Sequence, residues 1–442
     1  LKYKIITYGC QMNEHDSEKI AGMLEDMGYS PAARDKEADL IVFNTCLVRE
    51  NAELKVHGKV GSYKPLKEKN PDLILAVGGC MMQQQDIAAE FYQKHSHVDI
   101  VFGTHNLAEL PALIQQVKTA QDRTMEIWEE DRGLLPDVPI RRKNDYQAWL
   151  TIIQGCENYC SYCIVPHVRG QERSRSPEDI LREAESLARE GFLELTLLGQ
   201  NVNSYGQDLT GDVNFPYLLD KISAVSGIRR IRFMTSHPRD FSQELIQISA
   251  ERENICPHFH LPVQAGSTRV LQDMNRGYTR EEYLKLIDRI RQKMPEAAIT
   301  TDIIVGFPGE SEEEFKETIS LLEEVRFDMA FTFAYSAREG TPAAGREDTV
   351  PQEEKSRRLQ RLMEVQNNIS WEINQKLIGS SQEVLIEGES KKDPDFYSGR
   401  TATGKLVIVP ACPAKIGSIV PVKITEAGSW TLYGEITDNS QS

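Results

Sequence analysis

The segment Gly155 to Cys163, GCENYCSYC, places Cys156, Cys160 and Cys163 within eight residues, directly after the apolar run Trp149 to Ile153. Three thiols this close can converge on one metal centre, and the run before them reads as the strand that delivers them. An iron–sulfur cube is normally held by four cysteines, so a loop offering three leaves one iron open to a small molecule. Zinc with His167 as fourth ligand has equally suitable ligand types. A disulfide is disfavoured, because three is odd and nothing else looks secreted.

The first 119 residues repeat this logic with separated cysteines. Tyr3 to Tyr8, Asp39 to Phe43 and Leu73 to Val77 are strand-like, and each is followed by a helical stretch: Asp16 to Met27, Glu50 to Leu66, and one toward Lys94. Such alternation predicts a doubly wound parallel sheet, which binds ligands outside the carboxyl ends of its strands. Those ends read Gly9-Cys10, Asn44-Thr45-Cys46 and Gly78-Gly79-Cys80. Cys10, Cys46 and Cys80 are therefore expected to form a second three-cysteine site, with glycines allowing the backbone to turn beside a bulky inorganic group. An isolated cysteine is more often a small core residue, and Cys256 and Cys412 are read that way.

A chain of 442 residues exceeds one ordinary core. The divisions expected are an α/β domain over 1–120, a linker over 121–143, a second α/β domain over 144–375 and a small β-barrel over 376–442. The linker reading rests on a charged stretch punctuated by Pro136 and Pro139 and ending in Arg141-Arg142-Lys143. No apolar run approaches the eighteen residues of a membrane span. The chain opens at Leu1, so an initiator residue or short leader is expected before it, and the protein is expected in the cytoplasm. Its net charge of −16 argues against a broad nucleic-acid surface, so any such partner must meet local basic groups.

From Trp149 to Glu339 six strand-then-loop units follow: Trp149–Gln154, Glu194–Leu198, Arg230–Met234, His258–Val263, Ile299–Val305 and Met329–Ala334. Ser176-Pro177 and Ser311-x-x-Glu314 signal helix starts. Six units fall short of the eight of a closed barrel, so an open partial (β/α)6 barrel is expected. The strand ends carry Gly199-Gln200-Asn201, Ser236-His237-Pro238, Gln264-Ala265-Gly266-Ser267, the loop from Gly306 and the loop from Tyr335. In β/α barrels that rim does the chemistry, although the same residue types also serve as plain turn formers. Beside the cysteine loop, PHVRGQERSR (Pro166 to Arg175) offers Arg169, Arg173 and Arg175 to a carboxylate or phosphate. The competing reading is a salt-bridge network with Glu172 and Glu178. His167 and His260 are candidate bases or ligands, or simply structural. After Gly379 short β-prone runs (Gln382–Glu387, Leu406–Val409, Ile419–Ile424, Thr431–Ile436) predict the small barrel.

The Cys-x-x-x-Cys-x-x-Cys loop with Tyr162 before its last cysteine resembles that of the radical S-adenosylmethionine (SAM) superfamily. Taken with the amino-terminal cysteines, QGCENYCSYCIVPHVRGQERSR, HLPVQAGS, TDIIVGFPGE and the terminal barrel, the whole chain resembles the radical SAM methylthiotransferases. NTCLVRENAE (Asn44 to Glu53), FAYSAREGTPAA (Phe333 to Ala344) and FYSGRTATGK (Phe396 to Lys405) look most like the members acting on isopentenylated tRNA adenosine. Other members act on threonylcarbamoylated tRNA adenosine or on a ribosomal-protein aspartate. The fifth-strand motif Gly-x-Ile-x-Gly-x-x-Glu is met only loosely, with Asp302 in place of its first Gly.

The resemblance implies two 4Fe-4S clusters. One, on Cys156, Cys160 and Cys163, binds SAM and cleaves it to a 5′-deoxyadenosyl radical that takes hydrogen from adenine C2. The other, on Cys10, Cys46 and Cys80, holds the sulfur that a second SAM methylates. SAM contacts are implied for Tyr162, Gly199, Gln200, Asn201, Gln264, Asp302 and Val305, and substrate contacts for Arg169, Ser174, Arg175, Arg338 and Arg400. The implied partners are the tRNA anticodon arm, gripped by a barrel resembling the TRAM domain, an external electron donor, and cluster and sulfur supply proteins. A monomer without membrane attachment is expected.

Overall fold

The apolar runs of the amino-terminal region become one parallel sheet. A computed structural model describes residues 1–47, 50–129, 138–412 and 415–437, with the side chains of 50–53 outside that description. Strands β1 (Lys2–Thr7), β2 (Ser30–Pro31), β3 (Leu40–Thr45), β4 (Ile74–Gly79), β5 (Ile100–Phe102) and β6 (Thr124–Glu126) lie in the order β2-β1-β3-β4-β5-β6. Helices α1 (Gln11–Asp26), α2 (Glu50–Gly61), α3 (Lys64–Lys69), α4 (Gln85–Lys94) and α5 (Leu110–Ala120) cover both faces. Ile41, Phe43, Leu75 and Val77 pack on one face with Val56, Val60 and Phe91. Leu40, Val42, Ile74 and Ala76 pack on the other with Ile20, Leu24 and Leu113. Burial on both faces is why these strands read as continuous apolar runs rather than alternating ones.

Part of the stretch read as linker belongs to the first sheet. Thr124–Glu126 pairs in register with Ile100–Phe102 as the sheet's edge strand, and residues after Val138 run against α1. There Arg141 N–H donates to Glu18 O at 3.0 Å. A Cβ on Gly22 would fall 2.1 Å from Pro139 O, so this helix-interior glycine exists to admit the passing chain. Residues 130–137 of the stretch lie outside the described residues.

The second α/β domain is an open arc of parallel strands. Its elements are β7 (Gln147–Thr151), β8 (Ile153–Gln154), α6 (Val165–Arg169), β9 (Arg173–Ser174), α7 (Pro177–Glu190), β10 (Glu194–Leu198), α8 (Phe215–Ser223), β11 (Arg230–Phe233), α9 (Gln243–Glu251), β12 (His258–His260), α10 (Thr268–Asp273), α11 (Arg280–Lys293), β13 (Ala298–Val305), α12 (Glu312–Val325) and β14 (Met329–Ala334). Two three-stranded sheets, β11-β10-β7 and β12-β13-β14, are joined by a parallel bridge between Ile231 and Ile255. The six expected strands are thus present, with the fourth shortened to three residues. Both expected helix starts are capped: Ser176 accepts from Asp179 N–H, and Ser311 with Glu314 forms a capping box.

Helix α13 (Gln352–Gln375) leads to β15 (Ser381–Glu389), β16 (Phe396–Thr401), β17 (Leu406–Pro410), β18 (Ile419–Ala427) and β19 (Thr431–Ile436), which close into a barrel around Val384, Val407, Val422 and Leu432. This barrel is docked rather than tethered. Arg230 donates to the carbonyls of Arg400 (2.9 Å) and Glu383 (2.8 Å), and Arg232 to those of Ala402 (2.9 Å) and Thr401 (2.7 Å). Both guanidiniums are buried, with Glu194 3.0 Å from Arg232 Nε. No helix among the described residues is long and apolar enough to cross a membrane.

Candidate active site

The three amino-terminal cysteines follow adjacent strands β1, β3 and β4 at their carboxyl ends. Gly9, with φ of 123°, is the close-approach residue: a Cβ there would lie 2.8 Å from Cys46 Cβ and 3.1 Å from its Sγ. Asn13, one turn into α1, ties the loops together by donating to Tyr8 O (2.9 Å) and Thr45 O (2.8 Å). Its Oδ1 faces Cys10 Sγ at 3.9 Å and Cys80 Sγ at 3.8 Å. Arg169 reaches the same point from α6 of the other domain. Its Nε donates to Cys80 Sγ at 3.3 Å and its Nη2 to Asn13 Oδ1 at 2.9 Å, with Asp16 Oδ2 2.7 Å away. Five residues of α6 therefore join the two cysteine sets.

The second set hangs on a loop fixed at every corner. Gly155 has φ of 82°, and a Cβ there would sit 1.8 Å from Gln171 O. Gly155 N–H donates to Gln200 Oε1 (2.6 Å), Cys156 N–H to Gly170 O (3.2 Å) and Ser161 N–H to Met274 O (3.0 Å). Asn158 Nδ2 donates to Cys156 Sγ at 3.4 Å, and buried Arg276 donates to Cys160 Sγ at 3.2 Å. Cys160 and Cys163 open onto a cavity of about 350 Å³, also lined by Tyr159, His167, Gly340, Thr341 and Pro342.

The chemistry of the donors decides what can bind. Burial pushes the Cys80 and Cys163 thiols up to about 12 and Cys156 up to about 11, so they ionise only against a cation that displaces their protons. Within each set the thiols lie close enough to raise one another's pKa. Three neighbouring thiols in each set suit a cube, which takes its cysteine thiolates on separate iron atoms.

Several expected contacts have other employment. Ser174 is buried and accepts from Gly206 N–H at 2.9 Å. Arg175 donates to Thr151 O (2.9 Å) and pairs with Glu183 (2.8 Å), and Arg169 serves the amino-terminal cysteines. All three thus have internal partners in the structure. Arg400 is 46% exposed beside Glu387, and Arg338 is half-buried on the rim. Among the residues expected at SAM, Gln200 fixes the cysteine loop, and Asn201 is spent on Ser204 (2.6 Å) and Asp240 (2.9 Å). Gly199 packs on Ile153, and Val305 lies in the core. Tyr162 accepts from Arg276 at 3.4 Å. Asp302 stands 3.5 Å from His260 Nε2, and Gln264, with φ of 74°, bridges to Ile303. Asn13, Asp16 and Arg276 were not singled out from the sequence. The signal available for the first two was a helix that buries Asn13 and every residue from His15 to Lys19, all of them polar.

A partial parallel barrel with three cysteines closing its first strand defines a radical SAM protein, and residues 150–322 match the Radical SAM superfamily. Residues 2–103 match Uncharacterized protein family UPF0004, and residues 375–437 match the TRAM domain. The radical SAM methyltransferase TsrM from Kitasatospora setae, solved with cobalamin and a 4Fe-4S cluster, shares the fold with a TM-score of 0.57. The match covers 78% of this chain and 74% of that one at 15% identity. The tRNA-2-methylthio-N(6)-dimethylallyladenosine synthase of Natranaerobius thermophilus is 53% identical over 99% of this chain and 97% of its own. That of Carboxydothermus hydrogenoformans is 52% identical over 98% of each. The chain belongs to the family of these synthases. NTCLVRENAE, one stretch that pointed there, lies partly outside the described residues, at Val48 and Arg49 and the side chains from Glu50 to Glu53.

Proposed function

We propose that this protein adds a methylthio group to C2 of N6-isopentenyladenosine at position 37 of tRNA, using two SAM molecules and two 4Fe-4S clusters. The observation that carries the reading is the placement of two three-cysteine sets at strand ends, linked through α6, in a chain that is 53% identical end to end to a named synthase. When bound, the clusters supply reductive cleavage of SAM on one side and a site for the transferred sulfur on the other. Cys156, Cys160 and Cys163 hold the first, and Cys10, Cys46 and Cys80 the second. Asn13 and Arg169 fix the amino-terminal thiols, while Gly155, Gln200 and Arg276 hold the loop of the other three. Tyr162, Gln264 and Asp302 are the rim residues assigned to SAM, supported by their position around the loop and the strand ends beside it.

The barrel, the half-buried Arg338 and the exposed Arg400 are assigned to the anticodon arm. The relatives' names favour isopentenylated adenosine over threonylcarbamoylated adenosine or a protein aspartate. The reaction requires an external electron donor and proteins that supply cluster and sulfur; we place the enzyme in the cytoplasm as a monomer. Anaerobic incubation of reconstituted protein with SAM, a reductant and prenylated tRNA, followed by mass analysis of the nucleosides, tests the reading. The expected product is the methylthio derivative of isopentenyladenosine. Unmodified nucleoside in the presence of full cluster loading contradicts it.

A further inference from the structure

Each cysteine set receives a hydrogen bond from one largely buried guanidinium, but the two guanidiniums differ in their counter-charge. Arg276 is 4% exposed. It donates to Cys160 Sγ (3.2 Å), Tyr162 Oη (3.4 Å), Tyr278 Oη (3.1 Å) and Pro262 O (2.7 Å). Those partners are a thiol, two phenols and a carbonyl, with no carboxylate among them. Arg169 donates to Cys80 Sγ at 3.3 Å, and Asp16 Oδ2 lies 2.7 Å from its Nη2. Arginine stays protonated in proteins, so both charges are permanent. The one beside Cys80 is neutralised by Asp16. The one beside Cys160 is not.

Cluster potential follows hydrogen bonds to the sulfurs and the net charge nearby, and a low-dielectric surrounding strengthens both. Reduction adds one electron and no proton, making the cluster more negative. We propose that Arg276 and Arg169 sort the incoming electron. The uncompensated Arg276 stabilises the reduced form of a cluster on Cys156, Cys160 and Cys163, while Asp16 cancels the same effect of Arg169 at Cys80. The two sites thereby bias an electron from a one-electron reductant toward the cluster that binds SAM and away from the one that holds the sulfur. Glu172 lies near Cys156 and acts in the opposite sense on that ligand, so the proposal concerns the change each arginine site makes, not the absolute potential.

The inference rests on the proposal that both sets hold clusters, and the test separates the two. Reconstituted full-length protein is titrated with Ti(III) citrate and followed by electron paramagnetic resonance. Each cluster is observed alone in a background lacking the other three cysteines. Arg276→Gln is expected to lower the potential of the Cys160 cluster by at least about 59 mV, a tenfold change for a one-electron couple, and Arg276→Lys to restore most of it. Asp16→Asn, which keeps the shape of the side chain, is expected to raise the potential of the Cys80 cluster. If Arg276→Gln does not retain a cluster, Asp16→Asn decides alone. Absence of about four irons in either background refutes the two-cluster reading. Intact clusters with unmoved potentials, or an Asp16→Asn shift to lower potential, overturn the electron-sorting proposal alone.

Discussion

Removing the guanidinium of Arg232 undocks the terminal barrel. In Arg232→Ala two charged hydrogen bonds to the barrel carbonyls of Thr401 (2.7 Å) and Ala402 (2.9 Å) disappear. Glu194, 2% exposed, is left with Arg230 at 3.9 Å and the amide of Gln147 at 2.7 Å. A hydrogen bond to a charged group contributes about 1.5–3 kcal/mol, and truncating one member of a buried ion pair costs about 3–5 kcal/mol. The two estimates overlap at about 3–5 kcal/mol, which lowers the docked-to-undocked ratio by roughly two to three and a half orders of magnitude. Lys405, bonded to Asp328 at 2.6 Å, and Tyr146, bonded to Glu387 O at 2.6 Å, remain, so the barrel loosens without unfolding. Hydrogen exchange, resolved by segment, reads the effect: protection in the 400–405 turn and at the β15 end of the interface falls, while the core around Val407 and Val422 keeps its own. Arg400→Ala, at a 46% exposed side chain, is the control and is expected to stay within about 0.5 kcal/mol. Equal exchange in Arg232→Ala and the parent refutes the docking account, as does equal loss in both variants.

Gly155→Ala should lose the irons bound by the Cys156 loop while keeping those of the amino-terminal set. The left-handed conformation costs about 1–2 kcal/mol, and the new carbon meets Gln171 O at 1.8 Å; retention of both sets by iron analysis would tell against this. Gly22→Ala normally stabilises a helix by about 1 kcal/mol, but here the Cβ falls 2.1 Å from Pro139 O. Thermal unfolding should therefore begin at a lower temperature, and a higher onset would show that the chain around Pro139 does not pack on α1. His95, 2.9 Å from His57, is held down to about 4 by burial and then by its histidine neighbours, from an ordinary 6.5. The unfolded chain thus takes up the proton first as pH falls, and stability is lost between about 6.5 and 4 at up to about 1.4 kcal/mol per pH unit. His95→Gln should flatten part of that slope and leave the pH dependence above 7.5 unchanged, measured by thermal melts across pH.

The strands Glu194–Leu198 and Met329–Ala334 were legible to the residue because their burial is complete or their flanks are sharp turn formers. The amino-terminal cysteines were legible as a set because each follows an apolar run. Thr124–Glu126 was not, since a short, half-exposed edge strand carries no apolar alternation. Arg169 shows a different limit. Its local sequence marks it only as a cation near a metal loop, and the contact that fixes its role, to Cys80, joins residues 89 positions apart. Ser174 and Arg175 read as polar loop residues for the same reason, and only the tertiary structure reveals Gly206, Thr151 and Glu183 as their partners. Arg276 stands in the turn after α10, where nothing in Asn275-Arg276-Gly277 distinguishes a cluster neighbour from a surface cation.

Division of labour between the two cysteine sets is the centre of the account, and replacing one set at a time measures it. Protein carrying Cys156→Ala, Cys160→Ala and Cys163→Ala, reconstituted anaerobically, is expected to keep about four irons on Cys10, Cys46 and Cys80 and to form no 5′-deoxyadenosine from SAM under reduction. The converse triple variant is expected to form 5′-deoxyadenosine but no methylthiolated nucleoside. SAM cleavage at the parent rate without the Cys156 loop, or methylthiolated tRNA without Cys10, Cys46 and Cys80, contradicts it.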